Sequence, residues 1–141
     1  MTTTVEKYFD ICAGHRVVGH EGKCKNLHGH NYRVHVKAEA NSNKLDELGM
    51  VIDFSVLNFM GKWLEDKWDH RMLLWYNDPV VRYLQSEAFE SIVTTPFNPT
   101  AENMAEYLLN EVSPFIFRDY AITIVEIKIE ETRKCTATVK L

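Results

Sequence analysis

Residues 22–36 read GKCKNLHGHNYRVHV, and their periodicity decides the fold. From His28 onward the chain alternates: His28, His30, Tyr32, Val34 and Val36 share one parity, and Arg33, His35 and Lys37 share the other. A period of two is that of a β-strand, so both imidazoles of HGH project from the same sheet face. Gly29 leaves no side chain between them on the opposite face, which suits close backbone approach. The upstream stretch VEKYFDICAGH alternates as well, with Val5, Phe9, Ile11 and His15 on one parity. If the two strands are hairpin neighbours, His15, His28 and His30 converge at one end of a sheet. Three neutral nitrogen ligands suit zinc, and three protein ligands leave a fourth position for water or substrate. A single histidine on a strand is ordinarily a core or surface residue; the shared parity and the HGH spacing favour metal for the set. His35 has the wrong parity, and His20 sits in the loop VVGHEGK.

Beyond this hairpin, NSNKLDELG reads as a polar turn returning the chain to a short strand, MVIDF. Val56, Leu57, Met60, Leu64 and Trp68 then follow helical spacing. A second helix is predicted from Ala101, Met104, Ala105, Leu108, Leu109 and Val112, with Pro99 and Thr100 at its start and Pro114 beyond its end. The last stretch, AITIVEIKIEETRKCTATVKL, reads as two strands around a turn, with Thr123, Val125, Ile127, Ile129 and Glu131 on one face. The element order predicts a single α+β domain over residues 1–141, an antiparallel sheet with two helices on one face. Between them, LLWYNDPVVRYLQSEAFESIVTTPF holds a short helix near PVVRYLQSEA.

The composition, 45% hydrophobic and 26% charged over 141 residues, is that of a globular domain. A net charge of −4 recommends neither nucleic acid nor an anionic membrane as partner. MTTTVEKYFD has no apolar signal region, and no apolar run nears the roughly 18 residues a membrane span needs. Three cysteines without an export signal point to a reducing compartment, the cytoplasm.

Cys24 has two readings. It is a fourth zinc ligand closing a structural site, or a thiol beside the metal acting as base or nucleophile, with Lys23 and Lys25 favouring its thiolate. Cys12 and Cys135 have ordinary packing contexts and read as structural. In WDHR, Asp69 can hold the tautomer of His70 only if the backbone bends. Glu131 places a carboxylate on an apolar parity, so it requires a cationic or donating partner unless the strand has already ended.

HRVVGHEGKCKNLHGHNYRVHV, GMVIDFSVLN, DH, NPTAEN and EET resemble, in order, the motifs of the 6-pyruvoyltetrahydropterin synthase / 6-carboxytetrahydropterin synthase family. The resemblance covers nearly the whole chain. It implies the tunnelling fold, a four-stranded antiparallel sheet with two helices on one face, associating into a barrel as a homohexamer of two trimers. By position it implies His15, His28 and His30 as Zn²⁺ ligands, Cys24 as general base, Asp69 and His70 as a relay pair, and Glu131 as anchor of the pterin ring. Thr100 and Glu102 match ring-side contacts delivered from a neighbouring subunit. The implied activity is zinc-dependent conversion of 7,8-dihydroneopterin triphosphate to 6-carboxy-5,6,7,8-tetrahydropterin, releasing acetaldehyde and triphosphate, in 7-deazaguanine (queuosine-type) synthesis. The three residues between Cys24 and His28 resemble the carboxy-forming members. The alternatives are the 6-pyruvoyl branch and, more remotely, a zinc-stabilised binding module in which Cys24 closes the site. ICAGH departs from the more usual FxAAH, and the segment between His70 and NPTAEN is longer than in compact members.

Overall fold

The computed structural model describes residues 1–141. Strands β1 (Thr4–His15) and β2 (His28–Ala40) form a long antiparallel hairpin in which Val5 faces Ala38 and His15 faces His28. Strands β5 (Ile122–Glu130) and β6 (Thr136–Lys140) continue the antiparallel sheet beyond β2. These are the four strands that the alternation predicts.

The sheet does not stop there. Strand β3 (Arg71–Trp75) joins β1 in parallel over Ala13–His15, and β4 (Ile92–Thr95) joins β3 in parallel. The sheet is therefore six-stranded and mixed, in the order β4-β3-β1-β2-β5-β6, rather than four-stranded and antiparallel. The added strands are RMLLW and IVTT, too short to show a period, and a parallel pair needs the crossover that helix α2 (Val81–Ala88) supplies. That helix is the one predicted near PVVRYLQSEA.

MVIDF is not a strand. Asp53 accepts the N–H of Ser55 at 2.7 Å and turns the chain into a short 3₁₀ segment, Phe54–Leu57, which leads into α1 (Asn58–Lys67). Leu57, Met60, Leu64 and Trp68 are buried on one stripe, as their spacing predicts. The second predicted helix runs further than expected, through α3 (Ala101–Tyr107), a π-turn at Leu108–Val112 and α4 (Ser113–Ile116). Pro114 lies inside this path and not beyond it. A proline cannot donate to the preceding turn; the π-turn absorbs that loss, and the Ser113 hydroxyl donates to the Leu108 carbonyl at 2.7 Å.

Both long helical segments pack on one sheet face. Their buried residues Met60, Leu64, Met104 and Leu108 meet Tyr32, Val34, Val36, Ile127 and Ile129 in a single core. The register shift between Lys37 and Ala38 leaves an extra residue, Val125, in β5, so the buried set is Ile122, Ile124, Ile127 and Ile129. Thr123 is exposed and does not share the face of Ile127, because such a bulge reverses the parity.

One buried ion pair ties the hairpin to the parallel excursion. Arg16 Nε–H donates to Asp78 Oδ2 at 2.6 Å, and its terminal nitrogen meets Oδ1, which also accepts the Val80 N–H at 2.9 Å. Burial alone would raise the Asp78 pKa, but the Arg16 and Val80 donors outweigh it and hold the carboxyl below its ordinary value. Asp78→Asn removes the charge that this partly buried guanidinium meets, so it is expected to lose about 1–3 kcal/mol at neutral pH. Because the folded pKa lies below the unfolded one, the contribution is complete above the unfolded value of about 4 and fades as pH falls through the folded value. Urea titrations of both proteins should show a constant gap from neutral pH down to mild acid, closing only in stronger acid.

Candidate metal and substrate site

The hairpin register places His15 directly across from His28 and His30 across from Ala13. The three imidazoles stand with ring centroids 4.5, 4.9 and 5.0 Å apart, and His15 is only 1% exposed. His15 Nδ1–H donates to the Pro99 carbonyl at 2.6 Å, and His28 Nδ1–H donates to the Asn26 carbonyl at 2.7 Å. A carbonyl can only accept, so these bonds place the protons on Nδ1 and leave lone pairs on both Nε2 atoms. Those atoms nevertheless lie 3.1 Å apart. Two facing lone pairs repel unless a cation lies between them, and two nitrogens on one tetrahedral zinc stand about 3.3 Å apart.

His30 is the third member of the group. Its Nε2 is buried without a hydrogen bond, 3.4 Å from Glu131 Oε1. Burial lowers the pKa of His15, outweighing its bond to Pro99, and lowers that of His30, so both favour the neutral form that ligation requires. One ligand atom from each of the three histidines lies within 4.8 Å of the others, and no thiol belongs to the group. The donor set fits a metal ion with an open position.

Around the triad stand three further groups. Tyr32 packs edge-on against His15 and His30, fully buried, with a hydroxyl that has no partner. Burial raises its pKa, and Glu131 and Cys24 push the same way, so the phenol stays protonated. Cys24 sits half-buried on the short 3₁₀ turn Lys23–Lys25, and its carbonyl accepts the Val17 N–H at 2.7 Å. Glu131 lies one residue past β5, so the strand has ended, yet its carboxylate turns toward His30.

NPTAEN holds this loop in place. The Asn98 side chain pairs with both backbone groups of Val18, at 3.0 and 2.9 Å, and its carbonyl accepts from the Asn103 side chain. The Thr100 hydroxyl caps α3 by accepting the Asn103 N–H at 3.1 Å, while Glu102 is exposed in that helix's first turn. Sequence reasoning missed Asn26, Tyr32, Asn98 and Pro99. Asn26 and Pro99 act through backbone carbonyls, which leave no residue-type signal; the buried phenol of Tyr32 was the one legible clue.

Asp69 and His70 lie elsewhere. His70 has φ +59°, the bend that lets its Nδ1 reach Asp69 Oδ2 at 2.9 Å. Asp69 Oδ1 accepts the Cys12 N–H at 2.9 Å, and the Cys12 carbonyl accepts the His70 N–H at 2.6 Å. Cys12 alternates with the inward residues Ile11 and Ala13, so the pair belongs to the outward sheet face. Cys12 and Cys135 are exposed thiols rather than packed ones. His35 is also outward, between Glu6 and Glu130, and His20 accepts the Gly22 N–H in an exposed loop.

An α+β hairpin sheet carrying an open three-histidine centre defines a class of metal-site domain. The chain belongs to the 6-pyruvoyl tetrahydropterin synthase family, whose model matches residues 4–141. A 6-carboxy-5,6,7,8-tetrahydropterin synthase of Rickettsia typhi is 39% identical over 128 residues, covering 89% of this chain and 91% of that protein. The Haemophilus influenzae protein of the same name is 31% identical over 142 residues, covering 91% and 92%. The crystal structure of an uncharacterized protein from Wolinella succinogenes matches with TM-score 0.87 at 25% identity, over 99% of this chain and 98% of that one. The 6-pyruvoyl tetrahydropterin synthase of Caenorhabditis elegans matches with TM-score 0.69 at 28% identity, over 99% and 95%.

Metal analysis of purified protein should find one ion per chain, lost in His15→Ala, His28→Ala or His30→Ala and retained in His35→Ala. Asn98→Ala should keep the three histidines but weaken metal retention against a chelator, because Asn98 holds the segment whose Pro99 carbonyl fixes His15.

Proposed function

We propose that this protein converts 7,8-dihydroneopterin triphosphate and one water to 6-carboxy-5,6,7,8-tetrahydropterin, acetaldehyde and triphosphate, with zinc held by His15, His28 and His30. The observation that carries the reading is the open triad flanked by a thiol, a carboxylate and an unpartnered phenol. The names of the Rickettsia and Haemophilus relatives support the product. Zinc bound there supplies Lewis acidity to an oxygen of the substrate side chain, acidifying the adjacent carbon.

The chain's own residues do the rest. Cys24 removes the side-chain proton as a thiolate. Glu131 accepts from the guanidine-like edge of the pterin ring. Asp69 orients His70, which returns a proton. Thr100 and Glu102 flank the ring from an adjoining chain, Thr100 through its backbone because its hydroxyl is engaged.

Geometry within one chain supports an assembly. Cys24 belongs to the inward site and His70 to the outward face, so His70 serves the site of a neighbouring copy. Thr4–Ile11 of β1 pairs with no strand on its free side, an edge open to another sheet. The proposed assembly is a homohexamer of two trimers. No helix is long and apolar enough to cross a membrane; the proposed location is the cytoplasm.

Incubation with dihydroneopterin triphosphate should give the 6-carboxy product with stoichiometric acetaldehyde. A pyruvoyl product without acetaldehyde would assign the other branch, and an untouched substrate would sink the enzymatic reading. Cys24→Ala should keep its metal and melting temperature while turnover falls by roughly 10²–10⁴-fold, the contribution of a positioned acid–base group. Chains carrying Cys24→Ala and chains carrying His70→Ala, refolded together, should recover turnover that neither has alone; no recovery would refute the shared site. Glu131→Gln places a donor against the ring's donors, a mismatch of about 1–3 kcal/mol. Pterin binding by calorimetry should weaken tenfold or more at constant metal content.

A further inference from the structure

Cys12, Asp69 and His70 form a second group whose thiol, carboxylate and imidazole each offer a ligand atom within 4.8 Å of the others. All three are anchored through the backbone of β1. The Cys12 N–H holds Asp69, and the Cys12 carbonyl holds the His70 N–H. The Cys12 thiol donates to Asn31 Oδ1 at 3.1 Å from the facing position on β2.

We propose that this group is a second divalent-metal site, for zinc or a similarly thiophilic ion, and that filling it stops turnover by removing His70 from proton transfer. The binding claim stands on the side chains alone; the inhibition claim rests on the function proposed above. One sulfur, one nitrogen and one carboxylate oxygen make a mixed set suited to zinc, whereas magnesium and calcium require oxygen donors throughout. Zinc–sulfur and zinc–nitrogen distances of about 2.3 and 2.0 Å place neighbouring donors roughly 3.5 Å apart, a spacing that falls inside the 4.8 Å containing the three ligand atoms. Within its own chain the His70 side chain is 77% exposed, so no packing there opposes its adjustment to a metal. On binding, the Cys12 S–H bond breaks, sulfur keeps the electron pair for the metal, and the proton leaves to solvent. Cys12 and His70 line a hollow of about 510 Å³, together with His30, Asn31, Arg71, Met72 and Ser91.

The Cys12 side chain lies on the sheet face opposite the three-histidine centre. The strands between them meet at the facing pair Gly14 and Gly29. No ligand is shared between the two groups.

The test is a cobalt(II) titration of protein whose three-histidine centre is already saturated with zinc. A further equivalent of cobalt should bind per chain and bring thiolate-to-metal charge-transfer absorption in the near ultraviolet. That absorption should vanish in Cys12→Ser and persist in Cys24→Ser. No further equivalent, or absorption that survives Cys12→Ser, would overturn the site whatever reaction the protein catalyses. Cys12→Ser leaves the backbone bonds to Asp69 and His70 in place and should keep basal turnover. Excess zinc should inhibit the unaltered enzyme and leave Cys12→Ser active. Cobalt binding that depends on Cys12, without inhibition by zinc, would overturn the inhibition claim while leaving the site.

Discussion

Two hydrogen bonds from imidazole to backbone govern the rest of this structure. By donating Nδ1–H to Pro99 and Asn26, His15 and His28 commit both Nε2 lone pairs to the same point in space. The arrangement is electrostatically unfavourable without a cation, so whatever positions Pro99 and Asn26 also sets how well the three imidazoles could hold one. Hence the Asn98 clamp on Val18 and the Thr100 cap of α3 matter far beyond their own few bonds. They fix a carbonyl, the carbonyl fixes a tautomer, and the tautomer fixes a ligand.

The sheet divides its work by face. Inward residues are apolar until the last two pairs of the hairpin, where imidazoles take over. Outward residues form a charged lattice: Arg33 donates to Asp10 at 2.8 Å and lies over the Tyr8 ring, while His35 bridges Glu6 and Glu130. The Arg33 guanidinium holds the Asp10 carboxyl below its usual range. Such exposed pairs add little stability individually. Their consequence is a polar wall on the same sheet face as Asp69 and His70, opposite the three imidazoles.

What could be read from the residues alone follows the lengths over which a pattern repeats. β1 and β2 are 12 and 13 residues long, enough for alternation to declare both the strands and the face of each histidine. The stripes of α1 and α3 were legible for the same reason. β3 and β4, at five and four residues, show no period, and their parallel pairing depends on a distant crossover. MVIDF was misread because Asp53 makes a local cap that competes with extension. In β5, the bulge exchanged the faces of Thr123 and Ile124 in a way no alternation can foretell. At the site, the ligands were visible as residue types, but the separation of Asp69 and His70 from the triad was not, because it depends on which side of β1 the chain returns to after α1.

The free side of β1 has a consequence for the life of the newly made chain. In the single chain, the edge from Thr4 to Ile11 offers unpaired N–H and C=O groups to any extended segment nearby. Glu6, Lys7 and Asp10 set alternating charges along that edge, which an arbitrary apolar strand cannot match. The same residues that leave the lone chain prone to association therefore act as a filter against aggregation, admitting only a surface with the complementary order of charge.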